Sequence, residues 1–182
     1  MKEVLKNLQG KDIVLFVADA DEISGADVRF PVVYTGMGKM RMYSALEKWW
    51  GEGQAGKVVL NIGSAGSARF PIGTVLNCRH FINGGSELIF DRIDLPGEGV
   101  SVFSGDYFMS TQTFSPEQVA ALSKEWDLFD MEAYAAALFC RNHGIPYYCL
   151  KAVSDTLDGS LKDWRSILSS IRRQFTALLA NL

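Results

Sequence analysis

Short apolar runs with almost no charge recur along this chain, and segments with helical spacing lie between them. The clearest runs are 13–17 (IVLFV), 58–61 (VVLN) and 147–153 (YYCLKAV). Runs of this length are typical of strands that are buried on both faces of a sheet. Because buried strands that alternate with helices form layered structures, the sequence predicts a single α/β domain over residues 1–182.

Further elements are predicted from turn and end signals. Ser115, followed by Pro116, is a strong helix start, and Gly144 with Pro146 beyond it marks a helix end. The predicted helices are a segment ending near Trp50, 115–126, 130–142 and about 161–182, and the additional predicted strands lie in 30–34, 73–82, 86–93 and 99–106.

Composition and spacing exclude several classes of protein. The net charge is −3, without the basic field that attracts nucleic acid, and no apolar run reaches the ~20 residues that span a bilayer. The three scattered cysteines and a polar amino-terminal segment suit a reducing cytoplasm. The two histidines do not have metal-ligand spacing and there is no phosphate-binding GxxxxGK[ST] motif, so we expect no metal and no cofactor.

Two glycine-rich stretches, TGMGKM (35–40) and NIGSAGSA (61–68), follow predicted strands. Backbone N–H groups in such stretches can bind anions. Each signal alone is weak, and taken alone the two stretches are better explained as tight strand-to-helix turns.

Carboxylates stand at three strand or helix ends. Asp130 and Glu132 fit a helix start, where the helix dipole favours negative charge, and this local interpretation competes with a functional one. Asp155 follows an apolar run, so it either caps the next element or faces a ligand at the carboxyl end of a strand.

The third acidic group comes directly after the first strand and comprises Asp19, Asp21 and Glu22. It is either a solvated turn or the source of one carboxylate in a cleft, where a perturbed pKa would suit a general base.

Taken in order, the segments FVADADEI, TGMGK, NIGSAG, FSGDYF and FDMEAYAAALFCRNHGIPYYCLKAVSD resemble the purine nucleoside phosphorylase and nucleosidase superfamily. The resemblance covers about residues 13–158 and is strongest to the methylthioadenosine/S-adenosylhomocysteine nucleosidases. It implies a three-layer α/β/α sandwich around a mixed, partly barrel-like sheet, and an enzyme that breaks the N-glycosidic bond of a purine-type nucleoside.

The resemblance also implies roles for individual residues. Glu132 would accept hydrogen bonds from the ribose hydroxyls, Asp155 would hold and protonate the purine at N7, and Glu22 would activate water. The implied substrate-binding residues are Ser64, Ala65, Gly66, Phe108, Met109, Met131 and Ser154.

Hydrolysis is favoured over phosphorolysis because Asn61 stands where phosphorylases of this superfamily carry an arginine. Arg41 and Arg69 keep phosphate open as the acceptor, so a nucleoside phosphorylase is the alternative, and a nucleoside-binding protein without turnover is the second. Ser67 replaces a usual glycine, and the spans 66–104 and 109–130 are shorter than usual in the family. The 5′ substituent of the nucleoside, an adenosine thioether, futalosine or another group, therefore stays open.

The resemblance further implies a homodimer or a higher homo-oligomer. Trp49 and Trp50 form an apolar pair that fits either helix packing or such an interface.

Overall fold

The computed structural model describes residues 1–85, 91–159 and 164–182, which form one mixed sheet with helices on both faces. The strands are β1 (Ile13–Val17), β2 (Val32–Tyr34), β3 (Val58–Gly66), β4 (Val75–Asn83), β5 (Arg92–Asp94), β6 (Val100–Ser104), β7 (Leu128–Asp130) and β8 (Tyr147–Asp155). The helices are α1 (Lys2–Leu8), α2 (Lys39–Trp50), α3 (Pro116–Glu125), α4 (Ala133–His143) and α5 (Trp164–Leu179).

Strand β8 lies inside the sheet, where it pairs in parallel with β3 and antiparallel with β4. Strand β4 pairs with β6, β6 with β7, and β7 with β3, so these strands close into a ring. Strands β1 and β2 extend the sheet in parallel from β3, and β5 pairs antiparallel with β4. The predicted mixed, partly barrel-like sheet is therefore confirmed.

Alternating side chains of β1 show how the layers form. Val14 and Phe16 pack in the core that contains α2 and α4, whereas Ile13, Leu15 and Val17 pack in the core that contains α1 and α5. Because successive side chains of a strand point to opposite faces, one buried strand supports both helical layers. This arrangement confirms the predicted three-layer α/β/α sandwich.

The stretch NIGSAGSA is not the loop that the sequence predicts, because β3 continues through Gly66 and is followed by β4 rather than by a helix. Glycine, serine and alanine have weak strand preference. Neighbouring strands decide the conformation: β3 pairs with β1 as far as Asn61 and with β8 as far as Gly66.

The predicted start of the helix at Asp130 is also wrong. Asp130 ends the short strand β7, and α4 begins at Ala133. The Asp130 carboxylate accepts the Ala133 N–H at 3.0 Å, so the helix-start interpretation holds for Asp130. It does not hold for Glu132, whose side chain makes no cap hydrogen bond to α4.

Local signals are accurate where the contacts are local. Ser115 and Gln118 form a reciprocal capping box at the start of α3, and Gly144 adopts a left-handed backbone (φ 65°) at the end of α4. Of the predicted strand 86–93, residues 86–90 lie outside the described part of the chain, as do 161–163 of the predicted last helix. In the described ranges, no helix combines the length and the apolar character that crossing a bilayer requires.

The tryptophan pair is mainly a packing feature. Trp49 is 7% exposed and its ring meets Phe16 edge-on, with 5.3 Å between centroids. Trp50 is half-buried beside His143. An apolar interface built on both tryptophans, as the sequence suggests, is therefore not available.

Candidate active site

A cavity of about 110 Å³ lies at the carboxyl ends of β1, β3 and β8. These strands run parallel, so residues that directly follow or end them meet at one edge of the sheet. The cavity wall contains every site residue predicted from the sequence: Glu22, Ser64, Ala65, Gly66, Phe108, Met109, Met131, Glu132, Ser154 and Asp155.

Glu22 is the buried member of the acidic group after β1, whereas Asp19 and Asp21 are exposed. Its Oε1 accepts hydrogen bonds from both the N–H and the O–H of Ser64, each at 2.6 Å. Burial raises the pKa of Glu22, and Lys151 and the Ser64 hydrogen bonds lower it only in part. The carboxylate is therefore fixed in the cavity wall and has a greater proton affinity than a free glutamate.

Glu132 is 5% exposed and accepts the Gly38 N–H at 2.6 Å. Gly38 precedes α2 and has φ 106°, a conformation that residues with a side chain rarely adopt. Burial, together with the nearby charge of Asp130, raises the pKa of Glu132 to about 7. The glycine of the TGMGK stretch thus positions a carboxylate of the protein instead of an external anion.

Asp155 ends β8 and is held at both oxygens. Oδ2 accepts the Ser154 hydroxyl at 2.9 Å, and Oδ1 accepts the Leu157 N–H at 3.0 Å. A Cβ on Gly66 would lie 2.8 Å from Asp155 Oδ1 and would also overlap the Leu157 side chain, so this position requires glycine. Burial raises the pKa of Asp155, and the two hydrogen bonds counteract only part of that effect.

Lys151 is a residue of this site that the sequence reasoning missed. It is 1% exposed, and its Nζ lies 2.8 Å from Asp130 Oδ2. Burial alone would lower the pKa of Lys151, but Asp130, Cys149 and the cavity glutamates together raise it, so the side chain stays charged. A lysine inside an otherwise apolar strand was the available signal.

Lys151 and Glu22 approach each other over the backbone of Gly63. A Cβ on Gly63 would lie 3.1 Å from both carboxylate oxygens of Glu22 and 3.3 Å from Lys151 Nζ. Lys151 therefore acts as a buried counter-charge beneath the acidic wall of the cavity.

Phe108 and Met109 form the side of the cavity opposite the sheet, with exposures of 39% and 7%. Their loop is fixed to the segment after Asp155 by three hydrogen bonds. Thr111 N–H donates to Leu157 O (3.0 Å), Thr111 Oγ1 to Asp158 O (2.9 Å), and Gln112 Nε2 to Gly159 O (2.9 Å).

The residues weighed as phosphate partners do not reach the cavity. Asn61 donates to Phe16 O at 2.9 Å and lies in the core, so its identity does not by itself report on the acceptor. Arg69 is paired with Asp127 at 2.5 Å, and Arg41 is exposed. In the described part of the chain, no arginine, lysine or histidine side chain belongs to the cavity wall.

Comparisons with known proteins bear on the family and on the fold. Residues 94–182 match the family model of the phosphorylase superfamily, which confirms the resemblance for that part of the sequence. No curated protein matches the chain at a significant level.

Solved structures show the same fold over nearly the whole chain. The methylthioadenosine/S-adenosylhomocysteine nucleosidase of Helicobacter pylori is 17% identical, with a TM-score of 0.73 over 93% of this chain and 98% of that one. The enzyme of the same name from Neisseria meningitidis is 19% identical, with a TM-score of 0.73 over 93% and 96%. Futalosine hydrolase of Helicobacter pylori is 16% identical, with a TM-score of 0.73 over 93% and 97%.

Proposed function

We propose that this chain, whose carboxyl-terminal half matches the phosphorylase superfamily and whose fold is that of the nucleosidases, is itself a nucleosidase. It cleaves the N-glycosidic bond of a purine-type nucleoside with water. The comparisons support an N-glycosidic bond hydrolase or phosphorylase, and the cavity wall favours the hydrolase.

The observation that carries this choice is the charge of the cavity wall. Asp19, Glu22, Asp130, Glu132 and Asp155 line the cavity, and the described wall has no cationic side chain. Lys151 lies below the wall and is committed to Asp130. A phosphate dianion would be repelled by these carboxylates, whereas a neutral water molecule is not and can give up a proton to one of them.

The proposed reaction assigns one step to each buried acid. Glu22 removes a proton from water as the oxygen attacks C1′, and the bond from C1′ to the base breaks. Asp155, in its protonated form, donates its proton to N7 of the leaving purine. Glu132 accepts hydrogen bonds from the ribose hydroxyls and stabilises the positive charge that develops on the sugar.

Burial supports the roles of Glu22 and Asp155 because it raises the pKa of both groups. A raised pKa keeps Asp155 able to donate a proton and strengthens Glu22 as a base. Ser64, Ala65, Gly66 and Ser154 line the polar side of the substrate, while Phe108, Met109 and Met131 contact the base and the sugar.

The cavity of about 110 Å³ is smaller than the 300–1,000 Å³ of typical ligand pockets. A nucleoside therefore extends into the open mouth, where Met37 is 65% and Phe108 is 39% exposed. We assign this apolar mouth to the 5′ substituent of the sugar, which favours an adenosine thioether or a related 5′-modified nucleoside.

We propose that the enzyme acts in the cytoplasm as a homodimer or higher homo-oligomer. Exposed apolar side chains at and beside the mouth, Met37, Met40, Tyr107 and Phe108, favour a protein partner at this edge. Light scattering at micromolar concentration tests the assembly, and a monomer would contradict it.

A nucleoside panel tests the reaction. Methylthioadenosine, S-adenosylhomocysteine, futalosine and adenosine are incubated with the protein, with and without phosphate, and the free base and sugar products are measured. We expect free sugar at a rate that is independent of phosphate. Accumulation of sugar 1-phosphate would establish the phosphorylase instead, and binding without any product would establish a nucleoside-binding protein.

Glu22→Gln tests the base within the same experiment. The variant keeps the shape of the side chain but cannot accept a proton, so hydrolysis should be lost while nucleoside binding remains. Asp21→Asn is the matched control, because Asp21 is exposed and lies outside the cavity wall.

A further inference from the structure

Arg79, in the middle of β4, is buried and has no anionic partner among the described residues. It is 9% exposed, and its Nε is buried without a hydrogen bond. Its stem lies against Gly99, where a Cβ would overlap Arg79 Cγ and come within 2.9 Å of Arg79 Cβ. The chain therefore makes room for this arginine on the neighbouring backbone.

The guanidinium contacts one described group, the ring of Tyr148, whose centroid is 5.3 Å from Cζ. Within residues 1–85, 91–159 and 164–182, it forms no hydrogen bond or ion pair. The face of an aromatic ring attracts the positive charge, but it does not accept the in-plane hydrogen bonds that the five guanidinium N–H groups can donate. Because Nε is buried without an acceptor in the described structure, which is costly for a charged group, this arrangement calls for an acceptor that is not part of the described chain.

Arg79 lines a cleft of about 640 Å³ between α1, the turn after β5 and the start of β8. The cleft shares no wall residue with the candidate active site. Arg141, an exposed residue of α4, stands on another wall of the same cleft. The nearby Asp94 is engaged by His80 at 2.6 Å and by Arg92 at 2.7 Å.

Asn77 provides a second unpartnered group in this cleft. It lies two residues before Arg79 on β4 and lines the same cleft. Its Nδ2 donates to Glu98 O at 2.8 Å, which fixes the amide orientation. Its Oδ1 is then left buried with no donor in the described structure.

We propose that this cleft binds the oxyanion of a small molecule, either a phosphate or a carboxylate group. Arg79 binds two oxygens with its fork, Arg141 adds positive charge, and Asn77 Oδ1 accepts a hydroxyl hydrogen beside the anionic oxygens. Glu3 and Glu98 are exposed on the same walls and would repel negative charge that lies away from the arginines. The ligand should therefore carry its negative charge on one group only. This site is independent of the nucleosidase reaction and stands even if that proposal fails.

Thermal unfolding of the full chain tests the site with two probes, inorganic phosphate and glycolate. Sodium chloride at equal ionic strength supplies the baseline. A ligand that binds only the folded state raises the Tm with the logarithm of its concentration above Kd, by roughly 3–6 °C at a tenfold excess over Kd. We expect this with at least one probe for the wild type, and the probe that binds identifies the phosphate or carboxylate source.

Arg79→Met keeps a long stem over Gly99 and removes the charge, so the rise in Tm caused by the probe should disappear. Arg79→Lys keeps the charge without the fork and should weaken binding by about tenfold or more. Arg173→Met is the control, because Arg173 is exposed on α5 and bonds only Ser169 of its own helix. It should respond to the probes like the wild type.

Three results would overturn the proposal. The first is a wild type that neither probe stabilises beyond the chloride baseline. The second is an unchanged probe response in Arg79→Met. The third is an Arg79→Met variant that changes from oligomer to monomer in light scattering, because the acceptor would then be a carboxylate of a second copy of the chain.

Without any probe, Arg79→Met should unfold at the same or a higher temperature than the wild type, since it loses a buried N–H group that has no acceptor in the described structure. A lower Tm would mean that the arginine serves packing against Tyr148, and it would also count against the site.

Discussion

At the scale of single residues, Glu132 makes the activity depend on pH in a way that one substitution can test. Because its pKa is about 7, kcat/KM should fall as pH decreases through that value, since the sugar needs an ionised partner. Glu132→Gln should lower kcat more than it raises KM, and it should remove the decrease of kcat/KM at acidic pH. A large increase in KM with unchanged kcat would show that Glu132 only anchors the substrate.

The same residue affects stability. The folded pKa of Glu132 lies above the ordinary 4.5, so its stabilising contribution is fully present below pH 4.5 and is lost as pH rises through 7. The unfolding free energy of the wild type should therefore decrease between pH 5 and pH 8.5. In Glu132→Gln this decrease should be smaller, by up to about 3 kcal/mol. Urea denaturation at the two pH values measures the difference, and identical declines would contradict the burial argument.

Lys151 is the counter-charge for the buried acids. Lys151→Met should destabilise the fold by about 3–5 kcal/mol, because Asp130 would be left buried without its ion pair. It should also move the acidic limb of kcat/KM to higher pH, since Lys151 lowers the pKa of both Glu22 and Glu132. Lys151→Arg keeps the charge, and a shift of the same size in that variant would rule out charge as the cause.

Asp155→Asn tests the proposed acid. The variant should keep the fold, because the Ser154 and Leu157 contacts can be remade by an amide, and should lose turnover by ~10²-fold or more. Near-wild-type rates with intact thermal unfolding would remove Asp155 from the reaction.

At the scale of elements, the loop that carries Phe108 and Met109 is joined to the segment after Asp155 mainly through Thr111 and Gln112. The two sides of the base site should therefore move together. Thr111→Val removes the Oγ1 bond to Asp158 O and should lower kcat/KM by roughly three- to tenfold, the scale of one net hydrogen bond. Thr113→Val, exposed in the same loop, is the control and should match the wild type.

Elements with a strong local signal could be predicted from the sequence, and elements that are defined mainly by distant pairing could not. The capping box of Ser115 and the apolar run of β1 are local signals, and both are found in the structure. Strand β7 and the extension of β3 through Gly66 exist because they meet partners far along the chain. Helix α1, which contributes Val4 and Leu8 to the core, was also missed among polar residues.

The features of the candidate site are likewise of two kinds, those that the local sequence identifies and those that depend on distant contacts. Glu22, Glu132 and Asp155 stand at element ends, where motif order identifies them. The partnership of Lys151 with Asp130 spans two strands, and the bond from Gly38 to Glu132 joins positions 94 residues apart. Such contacts depend on how the sheet closes, so no pattern in a short window contains them.

At the scale of the whole molecule, the position of β8 has a consequence for biosynthesis. This strand pairs with β3 across 88 residues, from Asn61 to Cys149, and it also completes the strand ring next to β4. During translation, the edges of β3 and β4 that pair with β8 therefore stay unpaired until residues 147–155 leave the ribosome. Nascent chains that still lack β8 resemble folding intermediates with unpaired strand edges, which are the kind of species that chaperones bind. We expect a fragment of residues 1–146 to lack a cooperative thermal transition in circular dichroism, and a cooperative one would mean that the other strands can assemble without β8.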